Sequence, residues 1–224
     1  MIRVGIVAEG KSDWLALEEL IRAVHPDIEF VRLRPDMTPT SQSPNGWKGV
    51  RAWCRQEGSR LEVLMTGVVG QPIHLLVVHV DCSMAHNVAA LHPCPPARET
   101  ADALREVVAR DWLGRVPLPT FIVLATPSWT TDTWVTAALE PPYSGGQPLE
   151  CDQNVDRELH RRRLLPMKEG ELKKPEAKFR PLAEEMGRKI DHVCRVCTEA
   201  ARFREDLTVA LAAFPGDLDG PPAS

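Results

Sequence analysis

Short, almost wholly apolar runs alternate with segments of helical periodicity over the first 140 residues, and this alternation constrains the fold more than any other feature. We expect strands over residues 1–8, 28–33, 73–80 and 118–125, of which the first and third are the most apolar. The helical spacing of apolar side chains predicts helices over residues 12–24, 46–57, 97–113 and 132–139. Strands buried on both faces and separated by helices are typical of a mostly parallel sheet covered by helices. We therefore expect an α/β, Rossmann-like fold.

The character of the chain changes after the Pro- and Gly-rich stretch PPYSGGQP at residues 141–148. Residues 154–212 carry runs of charge and helical periodicity, and none of their segments has the pattern of a strand. The sequence thus predicts an α/β domain over residues 1–140 and a helical extension packed on it over residues 141–213. A flexible tail is expected at residues 214–224.

Composition excludes several classes of protein. The longest apolar run is far shorter than the ~20 residues needed to span a bilayer, and the sequence begins directly with a strand pattern instead of a signal peptide. We therefore expect a cytoplasmic protein whose six cysteines are reduced. The net charge of −4 gives no general attraction for nucleic acid, so contacts with it would need local basic clusters or metal ions.

Residues 5–12, GIVAEGKS, match the phosphate-binding P-loop pattern GxxxxGK(S/T). Under this interpretation Gly5, Lys11 and Ser12 would belong to a nucleotide-binding loop, and the chain would be a P-loop-type nucleotide hydrolase. Two features oppose it. Only four residues precede Gly5, and the charge of Glu9 would repel the phosphates.

The alternative interpretation continues the first strand to Ala8 and places Glu9 at its carboxyl end. Gly10 would then make the turn, and Ser12 or Asp13 would cap the following helix. Asp81 follows the strand at residues 73–80 in the same way. Two carboxylates at the ends of adjacent strands form an oxygen site suited to Mg²⁺ or Mn²⁺.

Three short motifs within residues 1–140 resemble TOPRIM domains, especially small TOPRIM-like proteins related to OLD-type nucleases. AEGKSD (8–13) resembles their EGxTE motif, VVHVDCS (77–83) resembles the strand that ends in DxD, and ATPSWTTDTWVTAAL (125–139) resembles a PxxxxExW block. The resemblance implies a TOPRIM fold and a metal-dependent nuclease, or nuclease subunit, that acts on nucleic acid, with DNA as the leading expectation. It also implies an AAA- or ABC-type ATPase partner in phage defence.

The resemblance also suggests roles for individual residues. Glu9 and Asp81 would be catalytic and would bind the metal ion, with Asp132 completing the ligand set. Ser83 would offer a neutral oxygen where the motif has a second acid. Lys11 would contact the scissile phosphate, and Glu9 could instead act as general acid or base. Three alternatives remain: one metal ion suffices, a partner completes the site, or the chain is a degenerate TOPRIM scaffold. An oligomer is compatible with each.

Two further groups of residues are candidate sites. Arg161, Arg162, Arg163, Lys173 and Lys174 belong to the main basic concentration and could bind a nucleic-acid backbone, although interleaved glutamates also fit a solvated helix face. The pair Cys194 and Cys197 could contribute to a zinc site, together with His92 and Cys94. The spacing of apolar residues around this pair favours a buried helix face instead.

Overall fold

A parallel sheet of four strands forms the centre of the fold, as the alternation of strands and helices predicts. The computed structural model describes residues 1–35, 46–67, 71–88, 97–145 and 147–214. The four strands are β1 (Ile2–Val7), β2 (Ile28–Arg34), β3 (Leu75–His79) and β4 (Ile122–Ala125). Their order in the sheet is β2-β1-β3-β4, and every pairing is parallel. The prediction of an α/β, Rossmann-like architecture is therefore confirmed.

Helices cover both faces of this sheet. Those in the first part of the chain are α1 (Lys11–Val24), α2 (Gly46–Glu57), α3 (Leu61–Thr66), α4 (Ala97–Val107) and α5 (Thr131–Ala137). Those that follow are α6 (Val155–Arg161), α7 (Glu176–Arg188), α8 (Ile190–Val196) and α9 (Thr198–Ala212). A π-helical turn, Val108–Trp112, continues α4. Three short 3-10 turns are Gly58–Arg60, Cys82–Asn87 and Leu149–Cys151.

Strands β1, β3 and β4 are largely apolar because the sheet is buried on both sides there, whereas the edge strand β2 carries charged residues and is partly exposed. In β3, Leu75 and Val77 point into one hydrophobic cluster, which includes side chains of α1, α5, α7 and α9. Leu76 and Val78 point into a second cluster with side chains of α2, α3 and α4. His79 continues this alternation and lies on the same face as Val77.

The segment after residue 140 shares the first of these clusters. Helix α7 packs against α1, and α9 packs against β4. Gly187 lies where a Cβ atom would be 2.9 Å from the backbone oxygen of Glu19, so α7 and α1 approach closely there. The segment also contains a two-stranded antiparallel hairpin, β5 (Met167–Lys168) with β6 (Glu171–Leu172). The expectation of no strand in this segment is therefore wrong. The predicted tail lies outside the described residues, apart from Phe214.

Two general properties follow from the described residues. Within these ranges no helix has the length and apolar character needed to cross a membrane. Cys151 is disulfide-bonded, so the expectation of reduced thiols throughout is wrong at this residue. The thiols of Cys54, Cys82, Cys194 and Cys197 are free.

The strand order creates a crevice between the carboxyl ends of β1 and β3. From β1 the chain passes through α1 to β2 on one side, and it then returns to place β3 on the other side of β1. Helix α1 covers one face of the sheet and α2 covers the opposite face. Open α/β sheets bind their ligands at such a reversal of strand order.

Gly5 lies inside β1 and not in a loop. It pairs with Val31 of β2 and with Leu76 of β3. A Cβ atom at this position would be 2.7 Å from Cδ1 of Leu33, so the glycine accommodates close side-chain packing. Only residues 8–10 separate β1 from α1. The backbone of residues 5–12 therefore does not form the wide loop that a P-loop needs to wrap a phosphate.

Candidate metal centre

Three ionisable side chains meet at the crevice between β1 and β3. Asp13 lies in the first turn of α1, His79 is the last residue of β3, and Asp81 follows two residues later. One potential ligand atom from each residue lies within 4.8 Å of the others. In the part of the chain that the structure describes, this is the one such group of His, Cys, Asp or Glu side chains with three or more members.

Glu9 borders this group from the turn between β1 and α1. Its Oε1 accepts a hydrogen bond of 2.9 Å from the backbone N–H of Asp81, which connects the ends of β1 and β3. On its other side, a Cβ atom added to Gly46 would be 3.5 Å from Oε2. Burial and the nearby charge of Asp81 raise the pKa of Glu9 to about 8. The carboxyl group can therefore hold or release a proton near neutral pH.

His79 is fully buried and contacts two partners through one ring nitrogen. Its Nε2 lies 3.1 Å from Oδ1 of Asp81 and 2.9 Å from Oγ1 of Thr131. Burial favours the neutral ring, but the hydrogen bond to Asp81 and the surrounding carboxylates outweigh it and raise the pKa of His79 to about 9.

Asp13 and Asp81 are held by the start of α5 as well as by their own elements. Thr131 donates its backbone N–H to Oδ1 of Asp81 at 3.1 Å. Burial is the main cause that raises the pKa of Asp13, and the positive charge of His79 partly offsets it.

An ion pair between a buried aspartate and a lysine that is about one-fifth exposed lies beside these residues. Nζ of Lys174, which follows the β5–β6 hairpin, is 2.8 Å from Oδ2 of Asp132 in α5. Burial raises the pKa of Asp132, and the charge of Lys174 opposes this rise. Burial disfavours the charged form of Lys174, but Asp132 and Asp13 outweigh this effect and raise its pKa. The second oxygen of Asp132, Oδ1, is buried and has no hydrogen-bond partner.

The structure thus brings together part of the predicted site. Glu9 and Asp81 are in contact, as expected from their positions at adjacent strand ends. Asp132 is close enough to Asp13 for the charge of Asp13 to raise its pKa, but the carboxylate of Asp132 is paired with Lys174. The backbone N–H of Ser83 donates to the carbonyl of Trp129 at 2.9 Å, and a role for the Ser83 hydroxyl stays a prediction.

Lys11 is placed at the first residue of α1, near the same edge of the sheet. Its Nζ lies 2.5 Å from Oε2 of Glu176 in α7, and both side chains are about two-fifths exposed. The hydrogen bonds from Lys11 and Arg180 lower the pKa of Glu176 to about 2. Lys11 is therefore accessible but held in an ion pair, and its contact with a phosphate stays a prediction.

The predicted basic surface is divided. Arg161 and Arg162 both form ion pairs with Glu158. Arg162 also donates to the carbonyl of Pro141, which follows the C-terminal end of α5, whereas Asp132 lies at the N-terminal end of that helix. Lys173 is exposed and pairs with Glu171, whereas Lys174 belongs to the candidate metal centre. Arg163 is exposed, with a positive φ of 60°. Their binding of nucleic acid stays a prediction.

The cysteine pair lies at a junction between helices. Cys197 is buried between α8 and α9, and Cys194 is partly buried against the same hydrophobic cluster. Burial raises the pKa of both thiols. His92 and Cys94, the other candidate zinc ligands, lie outside the described residues. The observed packing fits the buried-face interpretation of this pair.

Sequence reasoning did not assign Asp13 and His79 to the metal site. Asp13 was considered only as a helix cap and as a match to the acid of the first motif, and His79 was considered only as part of a strand. A signal for His79 was available, because residues two apart in a strand point to the same side. Asp13 lies one helical turn beyond Glu9, a spacing that can return a side chain to the strand end.

Comparisons of the chain with models of protein families, with curated proteins and with solved structures each gave no match.

Proposed function

We propose that this chain is a divalent-metal-dependent hydrolase of phosphodiester bonds, with nucleic acid as its substrate. The observation that carries the proposal is the convergence of Asp13, His79 and Asp81, with Glu9 beside them, at the reversal of strand order. Carboxylate oxygens are the protein ligands of Mg²⁺ and Mn²⁺, and imidazole nitrogen joins them in sites for transition-metal ions.

The charge balance of the centre also supports a bound cation. Four carboxylates lie close together, those of Glu9, Asp13, Asp81 and Asp132, whereas Lys174 and the protonated ring of His79 supply only two positive charges. Burial of carboxylates without matching charge is costly, and burial here raises the pKa values of Glu9 and Asp13, which favours their protonated forms. A divalent cation would take the place of these protons.

The residues would divide the chemistry between them. A bound divalent cation would polarise a phosphoryl oxygen and neutralise developing negative charge. In the proposed hydrolysis, a water oxygen bonds to phosphorus and the bond from phosphorus to the leaving sugar oxygen breaks. Glu9, with its pKa near neutral, takes the proton from the water, and the leaving oxygen receives a proton from solvent. Lys11 would leave its ion pair with Glu176 and bind a phosphate of the substrate instead.

A nicking assay on supercoiled plasmid with Mn²⁺ or Mg²⁺ tests this function. The variants Glu9→Gln and Asp81→Asn keep the shape of each side chain and remove its charge, and we expect each to lower the nicking rate by about 100-fold or more. Glu199→Gln is the matched control, because Glu199 is a buried acid with a pKa raised to about 7 that lies in α9, outside this centre. Equal nicking rates in all four proteins would refute the assignment.

The same assay separates the alternatives for the chain as a whole. If the wild-type protein cleaves neither DNA nor RNA with either metal ion, the scaffold interpretation is favoured. An ATPase partner of the AAA or ABC type is part of the proposal through the resemblance to OLD-related proteins. Its test is whether adding such an ATPase makes the nicking rate depend on ATP, with a hydrolysis-deficient ATPase as the control.

A further inference from the structure

We propose that the centre binds a first-row transition-metal ion such as Mn²⁺ in preference to Mg²⁺, with Nε2 of His79 as a direct ligand. This inference rests on the proposed metal-dependent function and goes beyond it, since it specifies which ion occupies the site and through which atom. It is carried by the position of His79 relative to Asp13 and Asp81.

The first argument is distance. Nε2 of His79 is 3.1 Å from Oδ1 of Asp81, and the ligand atom of Asp13 completes a group within 4.8 Å. Metal–ligand bonds of about 2.1 Å place two neighbouring ligands about 3 Å apart when they meet at a right angle. His79 and Asp81 are therefore already spaced as two ligands of one ion, and binding would not require the buried strand end to move.

The second argument is ligand chemistry. Mg²⁺ prefers oxygen ligands and usually keeps several water molecules. A set of two carboxylates and one imidazole instead favours Mn²⁺, Fe²⁺, Co²⁺ or Zn²⁺, whose affinity for nitrogen ligands is greater. Asp13 and His79 are almost completely buried, 7% and 0% exposed, which disfavours an ion that retains most of its water shell.

A second observation is an unpartnered, buried carboxylate oxygen beside these residues. Asp132 is 4% exposed, and its Oδ1 has no hydrogen-bond partner although Oδ2 is paired with Lys174. The charge of Asp13 raises the pKa of Asp132, so the two carboxyl groups belong to the same polar region. A water molecule or ligand of a bound ion would satisfy such an atom.

A competing role for His79 makes the inference testable. His79 could lie outside the coordination shell and only hold Asp81 in place, through an Nε2–H donated to Oδ1. Loss of such a positioning residue would weaken Mn²⁺ and Mg²⁺ binding by similar factors. Loss of a nitrogen ligand would weaken Mn²⁺ binding selectively, because Mg²⁺ gains little from imidazole.

The experiment measures Mn²⁺ binding to the full chain by electron paramagnetic resonance, with Mg²⁺ as competitor. We expect the wild-type protein to bind Mn²⁺ at least tenfold more tightly than Mg²⁺. In His79→Gln, Mn²⁺ affinity should fall about tenfold or more while Mg²⁺ affinity changes less than threefold. His74→Gln is the matched control, because His74 accepts a hydrogen bond from the Arg3 backbone at the opposite edge of the sheet. Equal losses for both ions in His79→Gln would overturn the inference.

A second measurement needs no variant. Electron spin echo spectra of the wild-type protein loaded with Mn²⁺ should show coupling to an imidazole nitrogen, and this signal should change when the protein carries ¹⁵N-labelled histidine. Absence of nitrogen coupling would overturn the inference even if plasmid nicking is observed, in which case the proposed function stands with another ligand set. Nitrogen coupling without nuclease activity would support the inference and refute the proposed function.

Discussion

Raising the pH of the metal-free protein from about 6 to 9 should lower its stability, because the folded centre holds protons that the unfolded chain does not. The pKa of His79 is about 9 in the folded state, above its ordinary value of 6.5. This group therefore contributes stability that is fully present below pH 6.5 and is lost as the pH rises through 9. Glu9 acts in the same direction, because its pKa is about 8 in place of 4.5.

The size of the effect follows from His79 alone. A tenfold change in proton affinity corresponds to about 1.4 kcal/mol, so the difference between pKa values of 6.5 and about 9 amounts to about 3 kcal/mol. For a chain of this length, 1 kcal/mol shifts the Tm by roughly 2–4 °C. The metal-free protein should therefore lose roughly 6–12 °C in Tm between pH 6 and 9. The contribution of Glu9 would add to this loss.

Thermal unfolding in the presence of a chelator, followed by circular dichroism at several pH values, measures this change. Adding saturating Mn²⁺ should restore the Tm at pH 9, because the ion binds only the folded centre and replaces the protons. His79→Gln should reduce the pH dependence of the metal-free protein to the part that Glu9 contributes, whereas the control His74→Gln should retain all of it. A Tm in the metal-free wild-type protein that is constant from pH 6.5 to 9 would refute the electrostatic reasoning.

Three further predictions address other parts of the structure. Lys174→Met should lower the free energy of unfolding, measured in urea, by about 3 kcal/mol, because it leaves Asp132 buried without its partner. In the same assay, the double variant Lys174→Met with Asp132→Asn should be more stable than Lys174→Met alone. Gly187→Ala should destabilise by about 1–3 kcal/mol in the same assay, although alanine favours helices, because its Cβ would lie 2.9 Å from the Glu19 carbonyl oxygen. An unchanged urea midpoint would mean that α7 can shift away from α1. Lys11→Ala should leave the Tm nearly unchanged, because its ion pair with Glu176 is exposed, yet it should lower the nicking rate. Full activity in Lys11→Ala would remove Lys11 from the proposed phosphate contact.

The sequence was informative about the sheet because strands β1, β3 and β4 are buried on both faces. Such strands have nearly continuous apolar runs, and their positions are visible without knowledge of tertiary contacts. Their ends were less accurate, as β4 begins at Ile122 and not near residue 118. The β5–β6 hairpin was missed because strands of two residues, such as Met167–Lys168, are too short to show any periodicity.

The contact between Glu9 and Asp81 was predictable for a related reason. Both residues follow apolar strands, and the carboxyl ends of parallel strands lie at one edge of the sheet. The ion pair of Lys174 with Asp132 was not predictable, because 42 positions separate the two residues and no local pattern relates them. Only the packing of the later helices on the sheet brings Lys174 to the centre, so its charge had been considered part of an outer basic surface.

His79 shows how a single buried polar residue can change the interpretation of a site. In the sequence it interrupts an apolar run and is easily assigned to the strand interior. Asp81 is extended and lies two residues beyond the end of β3, so the alternation of side chains continued from the strand places His79 on the same side as Asp81, and its Nε2 is 3.1 Å from that carboxylate. Two carboxylates alone would suit Mg²⁺, whereas two carboxylates with an imidazole favour a transition-metal ion. The identity of the bound ion therefore depends on whether His79 is a ligand. The Mn²⁺ and Mg²⁺ affinities of His79→Gln decide whether His79 binds the ion or only positions Asp81.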